Sequence, residues 1–291
     1  MKSLEYRLFL TLAYTAQFSY PLSAVQLFKR CVGKKQITVS EFIATLEHMI
    51  DAQRIRYSNG YFFLPGNEHH IQIRERRMLA SQKKYGELKI LLKFLQKIPW
   101  VIGVAITGSA AMQNAESEDD IDILLVTMNN RLWLVRPLVI FFAFLQGKRR
   151  TWSSEEENSW CFNLWLEPRT LAQPKPSHSL YVAYEVCQTD WVLNRSHTKE
   201  IFFAINSWVQ HYLPQYYPKP SIISIPQQHP TVTLFSVLLT ILNYIAYGVQ
   251  RVYMHAHMTR ERVSLGAAFF HPRDTQSMIS RGMRDIVGKL T

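Results

Sequence analysis

Apolar positions along this chain first recur with helical spacing, then alternate, then run together, and each regime predicts a different element. MKSLEYRLFLTLAYTA has the spacing of an amphipathic first helix. In YPLSAVQLFKRC a second helix is expected to begin at Pro21, whose fixed φ suits a first turn. TVSE predicts a third: Thr38 caps the backbone, Glu41 completes a capping box, and Phe42, Leu46, Met49 and Ile50 mark the buried face. RIRYSNGYFFL then reads as a hairpin, because Asn59 and Gly60 both tolerate positive φ between two β-prone runs.

Residues 69 to 98 form a long basic helical stretch whose Arg74, Arg76, Arg77, Lys83 and Lys84 either follow a nucleic-acid backbone or make the wet face of a connector. From Trp100 the pattern becomes α/β. WVIGVAIT is an apolar strand, GSAAMQNA a turn into a short helix, and DIDILLVT a second buried strand. RLWLVRPLVIFFAFLQGKRR is a helix ending in a basic cluster, and WCFNLWLEP a third strand. Beyond PKPS the chain reads as helical, near 178 to 194, 197 to 212, 231 to 258 and 272 to 289. Residues 231 to 250 carry no charge and are long enough to cross a bilayer. Polar residues interrupt them, and Leu234, Val237, Leu238, Ile241, Ile245, Val249 and Val252 keep helical spacing, so a buried bundle helix is expected rather than membrane insertion. The expected organisation is α+β: a helix-and-hairpin module over 1 to 65, a connector over 66 to 99, a small mixed-sheet core over 100 to 170 and a helical region over 171 to 291.

Composition changes this picture little. The 291 residues are 47% hydrophobic, ample for folded cores. A net charge of +11 favours a polyanionic partner such as nucleic acid, a nucleotide or an acidic membrane surface, the alternative being a solvated basic surface without function. Cys31, Cys161 and Cys187 are odd in number and widely spaced, which suggests neither a disulfide framework nor a zinc site and fits a reducing cytoplasm. Lys2 and Arg7 before a short apolar run look faintly like a signal peptide, but Glu5, Tyr14 and Gln17 favour the amphipathic helix.

The candidate chemistry lies in GSAAMQNAESEDDID, residues 108 to 122. Side chains alternate along a strand, so Asp120 and Asp122 share a face while Ile121 and Ile123 enter the core. Two adjacent carboxylates repel, and a hard divalent cation such as Mg²⁺ relieves this. Gly108 and Ser109, between strand and helix, offer backbone N–H groups and a hydroxyl to phosphate. Lys148 and Arg149 are cations that could neutralise phosphate charge.

On these residues the segment resembles the DNA polymerase beta superfamily of nucleotidyltransferases, in which a Gly-Ser turn precedes Asp-x-Asp on the next strand. The resemblance covers roughly residues 100 to 167. It implies Mg²⁺- or Mn²⁺-dependent transfer of a nucleoside monophosphate from an NTP to an acceptor hydroxyl, Asp120 and Asp122 holding metal and Ser109 contacting the triphosphate. The family has an Arg shortly after Gly-Ser in many small members, where this chain has Met112 and Gln113, and a third acid on a neighbouring strand. Strict alternation puts Asn163 where that acid is expected, on one face with Trp165 and Glu167; Glu167 or an acid of Glu155–Glu157 could serve instead. Residues 1 to 65 resemble a winged helix-turn-helix, which implies DNA contact through Lys34, Lys35, Arg54 and Arg56; the third helix carries Glu41, Glu47 and Asp51 and no Lys or Arg, so a protein-interaction or packing module is the alternative. The alternative to an enzyme is a DNA-binding regulator with a degenerate, nucleotide-sensing domain.

Overall fold

The computed structural model describes residues 3–149, 158–217, 233–255, 262–270, 277–279 and 281–283. Most of the helix expected over 272 to 289, and all of Glu155–Glu157, lie outside the described residues.

The N-terminal elements have their own core. Helix α1 (Leu4–Ala16) is capped by Ser3, and α3 (Val39–Asp51) by the reciprocal Thr38–Glu41 bonds. Helix α2 spans Ala24–Arg30 and starts three residues later than the Pro21 expectation. Ser23 and Gln26 form a second capping box, while Leu22 bridges Phe62 as extended chain. Strands β1 (Arg56–Ser58) and β2 (Tyr61–Phe63) pair across Asn59 and Gly60, whose φ values of 50° and 83° are those of a tight hairpin. Leu8, Leu12, Leu27, Phe42, Met49 and Phe62 are buried together.

Helix α4 (His70–Gln96) joins this module to the sheet. Its basic residues face inward more than the sequence suggests. Arg74 donates to Gln26 at 2.9 Å and lies over the Tyr20 and Tyr61 rings, while Arg76 and Arg77 both pair with Glu116. They fasten the connector to its neighbours, so they are not a free phosphate-tracking stripe.

The remaining elements are β3 (Val101–Ile106), α5 (Gly108–Ala111), β4 (Ile121–Thr127), α6 (Leu132–Leu145), β5 (Trp160–Leu166), α7 (Leu180–Gln188), β6 (Asp190–Asn194), α8 (Thr198–Ile205), α9 (Leu234–His255), β7 (Arg262–Ser264) and β8 (Ala267–Phe269). The six strands form one mixed sheet ordered β6-β3-β4-β5-β8-β7, in which β4 and β5 are parallel and every other pair antiparallel. The region beyond 171 is therefore not purely helical, since it supplies three of the six strands. One sheet face packs on α4 and α6 through Ile121, Ile123, Leu91 and Trp133; the other packs on α7 and α8 through Leu124, Val126, Tyr184 and Phe202.

Helix α9 reverses an expectation. Residues 234 to 255 are long and apolar enough to cross a membrane by length and composition. The stripe expected to be buried is exposed, with Leu234 at 87% and Val252 at 77%, while Asn243 is fully buried. The cause lies in α6. Pro137 has no N–H, which leaves the Trp133 carbonyl one turn earlier without its helical donor. The Gln250 side-chain amide donates to that carbonyl at 2.7 Å, and Asn243 accepts the Trp133 N–H at 2.9 Å. Arg131 donates to Thr240 at 3.1 Å and to the Ser236 carbonyl at 3.2 Å. Unsatisfied backbone at the start of α6 draws the polar stripe of α9 inward, and the apolar residues face out.

Candidate functional site

The three aspartates divide three tasks. Asp119, which the sequence reading left without a role, is the inner acceptor of its loop: it takes the Ser109 hydroxyl at 3.2 Å and the Glu116 N–H at 2.9 Å. Ser109 is thus engaged within the loop. Asp120 accepts from the Ser159 N–H at 3.0 Å and its hydroxyl at 2.7 Å, which ties the end of the loop to the entry of β5. Asp122 sits inside β4 beside the turn that opens α5. Gly108 has φ of 63°, and a Cβ added there would collide with the Asp122 carboxylate. Backbone and carboxylate approach this closely because residue 108 has no side chain. Gly108→Ala combines that collision with a left-handed backbone, and is expected to lower stability by about 2 kcal/mol and to displace Asp122; chemical denaturation of the variant checks it.

Asn163 reaches the same carboxylate by a route that strict alternation does not foresee. Asp122 pairs with Cys161 but Leu124 pairs with Leu164, so β5 carries an extra residue there. The bulge re-aims the strand: Phe162 and Trp165 enter one core, Leu164 and Leu166 pack on the other, and the Asn163 side-chain amide donates to Asp122. The Asn163 oxygen faces the Cys161 thiol at 2.8 Å.

Glu167 is not brought to the site. It lies at the opposite end of β5, six residues and about 20 Å of strand from Cys161. Fully buried, its carboxylate accepts the Arg131 and Leu132 N–H groups at 3.3 and 3.4 Å and pairs with Arg169 at 2.7 Å. It therefore satisfies the N-terminus of α6. Lys148 and Arg149 do lie at the aspartate end, where Arg149 bridges Trp160 and Trp160 pairs with Ile121. The Lys148 ammonium, however, pairs with Glu87 at 2.7 Å. In the N-terminal module Arg54 pairs with Glu5 at 2.7 Å, while Lys34, Lys35 and Arg56 are exposed. The outer face of α3 presents Val39, Ile43 and Glu47, with no Lys or Arg, and the exposed His48 of the same helix lies 2.9 Å from Glu5.

Glu185 and Arg30 carry no sequence signal, and Lys84, expected on a basic stripe, is buried instead. Glu185 lies on α7, the helix that packs on the sheet face of Leu124 and Val126; burial, together with the negative charge of Asp122, pushes its carboxyl up to about 7. Lys84 is 2% exposed, and its ammonium donates to the Ser117 carbonyl at 2.8 Å and to the Asp119 carbonyl and Asn158 side chain at 2.6 Å. It pins the acidic loop from beneath, and burial lowers its pKa. Lys84→Met would strand these acceptors, and a loss of about 3 kcal/mol is expected in denaturant unfolding. Arg30, 5% exposed at the end of α2, donates to the Met112 sulfur at 3.0 Å and the Tyr216 hydroxyl at 3.2 Å, so the N-terminal module places a cation beside the turn following Gly-Ser.

Asp120, just before β4, is bonded to Ser159, and Asp122, within β4, faces Gly108 and Asn163; two carboxylates two residues apart are hard oxygen donors of the type that would suit Mg²⁺. Among the described residues no cluster of three or more His, Cys, Asp or Glu side chains forms a complete metal cage. Comparison with known proteins adds no family: no family model, no curated protein and no solved structure matches the chain.

Proposed function

We propose that the chain is a metal-dependent nucleotidyltransferase that moves a nucleoside monophosphate from an NTP to an acceptor hydroxyl, the bond from the α-phosphorus to the bridging oxygen breaking as pyrophosphate leaves. The observation that carries this reading is the packing of a positive-φ Gly108 turn against Asp122, with Asp120 two residues earlier, at the entry to β4. Asp120 and Asp122 would hold Mg²⁺, which when bound offsets phosphate charge and polarises the phosphoryl group. The chain's own groups do the rest. The Gly108–Ser109 backbone lines the phosphate side, Asn163 orients the Asp122 carboxylate, and Glu185 accepts the proton of the attacking hydroxyl.

Glu185 in that role removes the difficulty posed by Asn163, which cannot act as a base. A carboxyl that titrates near neutrality is matched to proton acceptance at cellular pH. The N-terminal module, with its hairpin wing and an α3 face that lacks Lys and Arg, serves in this reading to hold Arg30 against the core and to shape the acceptor side. Nucleic acid remains an acceptor class alongside protein and small molecules, because the core sets the phosphoryl chemistry and the flanking elements choose the substrate. A cytoplasmic setting fits three free cysteines.

The test is incubation with each α-³²P-labelled NTP and Mg²⁺ or Mn²⁺, with and without RNA, DNA and cell lysate, beside an Asp120→Ala, Asp122→Ala double variant. Label transferred by the wild type alone supports the enzyme, and the labelled species identifies the acceptor. NTP bound but never consumed, with salt-sensitive duplex binding that survives the double substitution, would instead establish the nucleotide-sensing regulator.

A further inference from the structure

Helix α9 is amphipathic in the wrong sense for a soluble monomer. Its polar stripe, Ser236, Thr240, Asn243 and Gln250, is turned inward and hydrogen-bonded to α6. Eleven large apolar side chains point outward, each 41% to 87% exposed, and Leu138, Phe141, Phe144 and Leu145 on α6 are 48% to 60% exposed as well. At roughly half exposure these residues leave on the order of 1,000 Å² of apolar surface, above the ~300–600 Å² of the largest patch on a typical monomer. It also exceeds the ~800 Å² that each partner contributes to a stable interface.

We propose that the outward face of α9, with the exposed residues of α6, is the interface of a homodimer. The chemistry of the face selects a second copy over other occupants. Between residues 233 and 254 the only charge is Arg251, so there is nothing to pair with phosphates or with a charged partner. An apolar face with one cation, Arg251, held at its edge by the Tyr247 hydroxyl at 3.1 Å, can pack on its own copy across a two-fold axis and allows two chains of net charge +11 to meet with little local repulsion. Gly248, exposed and with open space around it, leaves a notch at which a partner helix can approach closely. A bilayer fits less well. A helix lying in the membrane interface is rich in Lys and Arg on its polar side, whereas here Arg251 is the one cation between residues 233 and 254 and the polar stripe is already bonded within the molecule.

Light scattering coupled to gel filtration of the full chain tests this. The wild type is expected at twice the 34.0 kDa chain mass at micromolar concentration. Ile245→Glu with Val249→Glu, at positions 57% and 66% exposed, is expected to halve that mass with unchanged circular dichroism. Ile90→Glu, an exposed apolar position on α4, is expected to leave the dimer intact and so separates the face from general solubility. A wild type of single-chain mass, or a dimer that survives the double substitution, overturns the proposal. So does a single-chain wild type that floats with phosphatidylserine vesicles, an outcome that would assign the face to lipid.

Discussion

Asp122→Asn is expected to reduce nucleotidyl transfer by on the order of 10³-fold or more, with no loss of thermal stability. Asp122 has Gly108 on one side and the Asn163 amide on another, and its negative charge bears on Glu185. In the proposed mechanism its replacement removes a charge that would hold the metal. It also removes the negative charge that opposes ionisation of Glu185, so the fold is relieved rather than strained. Asp120→Ala is expected to abolish transfer to a similar degree and in addition to lower stability by about 1–2 kcal/mol, since the Ser159 N–H and hydroxyl lose their charged acceptor. Single-turnover transfer and thermal unfolding, measured on both variants, separate the two. Wild-type transfer in Asp122→Asn would remove the metal role from this pair.

What could be read in the sequence was local. The Thr38–Glu41 box, the Asn59-Gly60 hairpin and the strand, turn and strand around Gly108 and Asp122 each depend on residues close along the chain, and each forms as expected. What could not be read depends on distant partners. β6 has one buried residue, Leu193, and its neighbour β3 lies about ninety positions earlier; β7 and β8 are three residues each. Such strands exist because an edge is offered to them, not because of propensity. Lys83 and Lys84 are adjacent and alike in sequence, yet one is exposed and the other buried under the acidic loop. The bulge at Asn163 likewise follows from the register with β4, which no alternation pattern contains. In α9 the two faces were visible but not their sense. The one local signal for that was Pro137, which implies an unsatisfied carbonyl and hence a polar partner.

Glu185→Gln is expected to lower the maximal rate by about 10²–10⁴-fold and to remove the acid limb of the pH–rate profile. In the wild type the carboxyl is pushed up to about 7 by burial and then by Asp122. A base must be ionised to act, so transfer should rise with pH through the titration of this carboxyl and level off above it; Mg²⁺ held by Asp122 would offset part of the charge that raises the carboxyl, so the limb is expected below the metal-free value of about 7. The same shift has the opposite sign in stability. Because the folded state holds the carboxyl above its unfolded value, its contribution is fully present below the unfolded pKa and is lost as pH rises through about 7. Glutamine cannot ionise, so the variant should be the more stable protein at pH 8 and close to the wild type at pH 5. A purely structural Glu185 predicts the stability crossover without any change in rate, whereas a proton acceptor predicts both. If Glu185→Gln keeps the wild-type rate and its acid limb, the base lies elsewhere, and the role assigned to the Glu185 carboxyl is wrong even if Asp120 and Asp122 hold the metal.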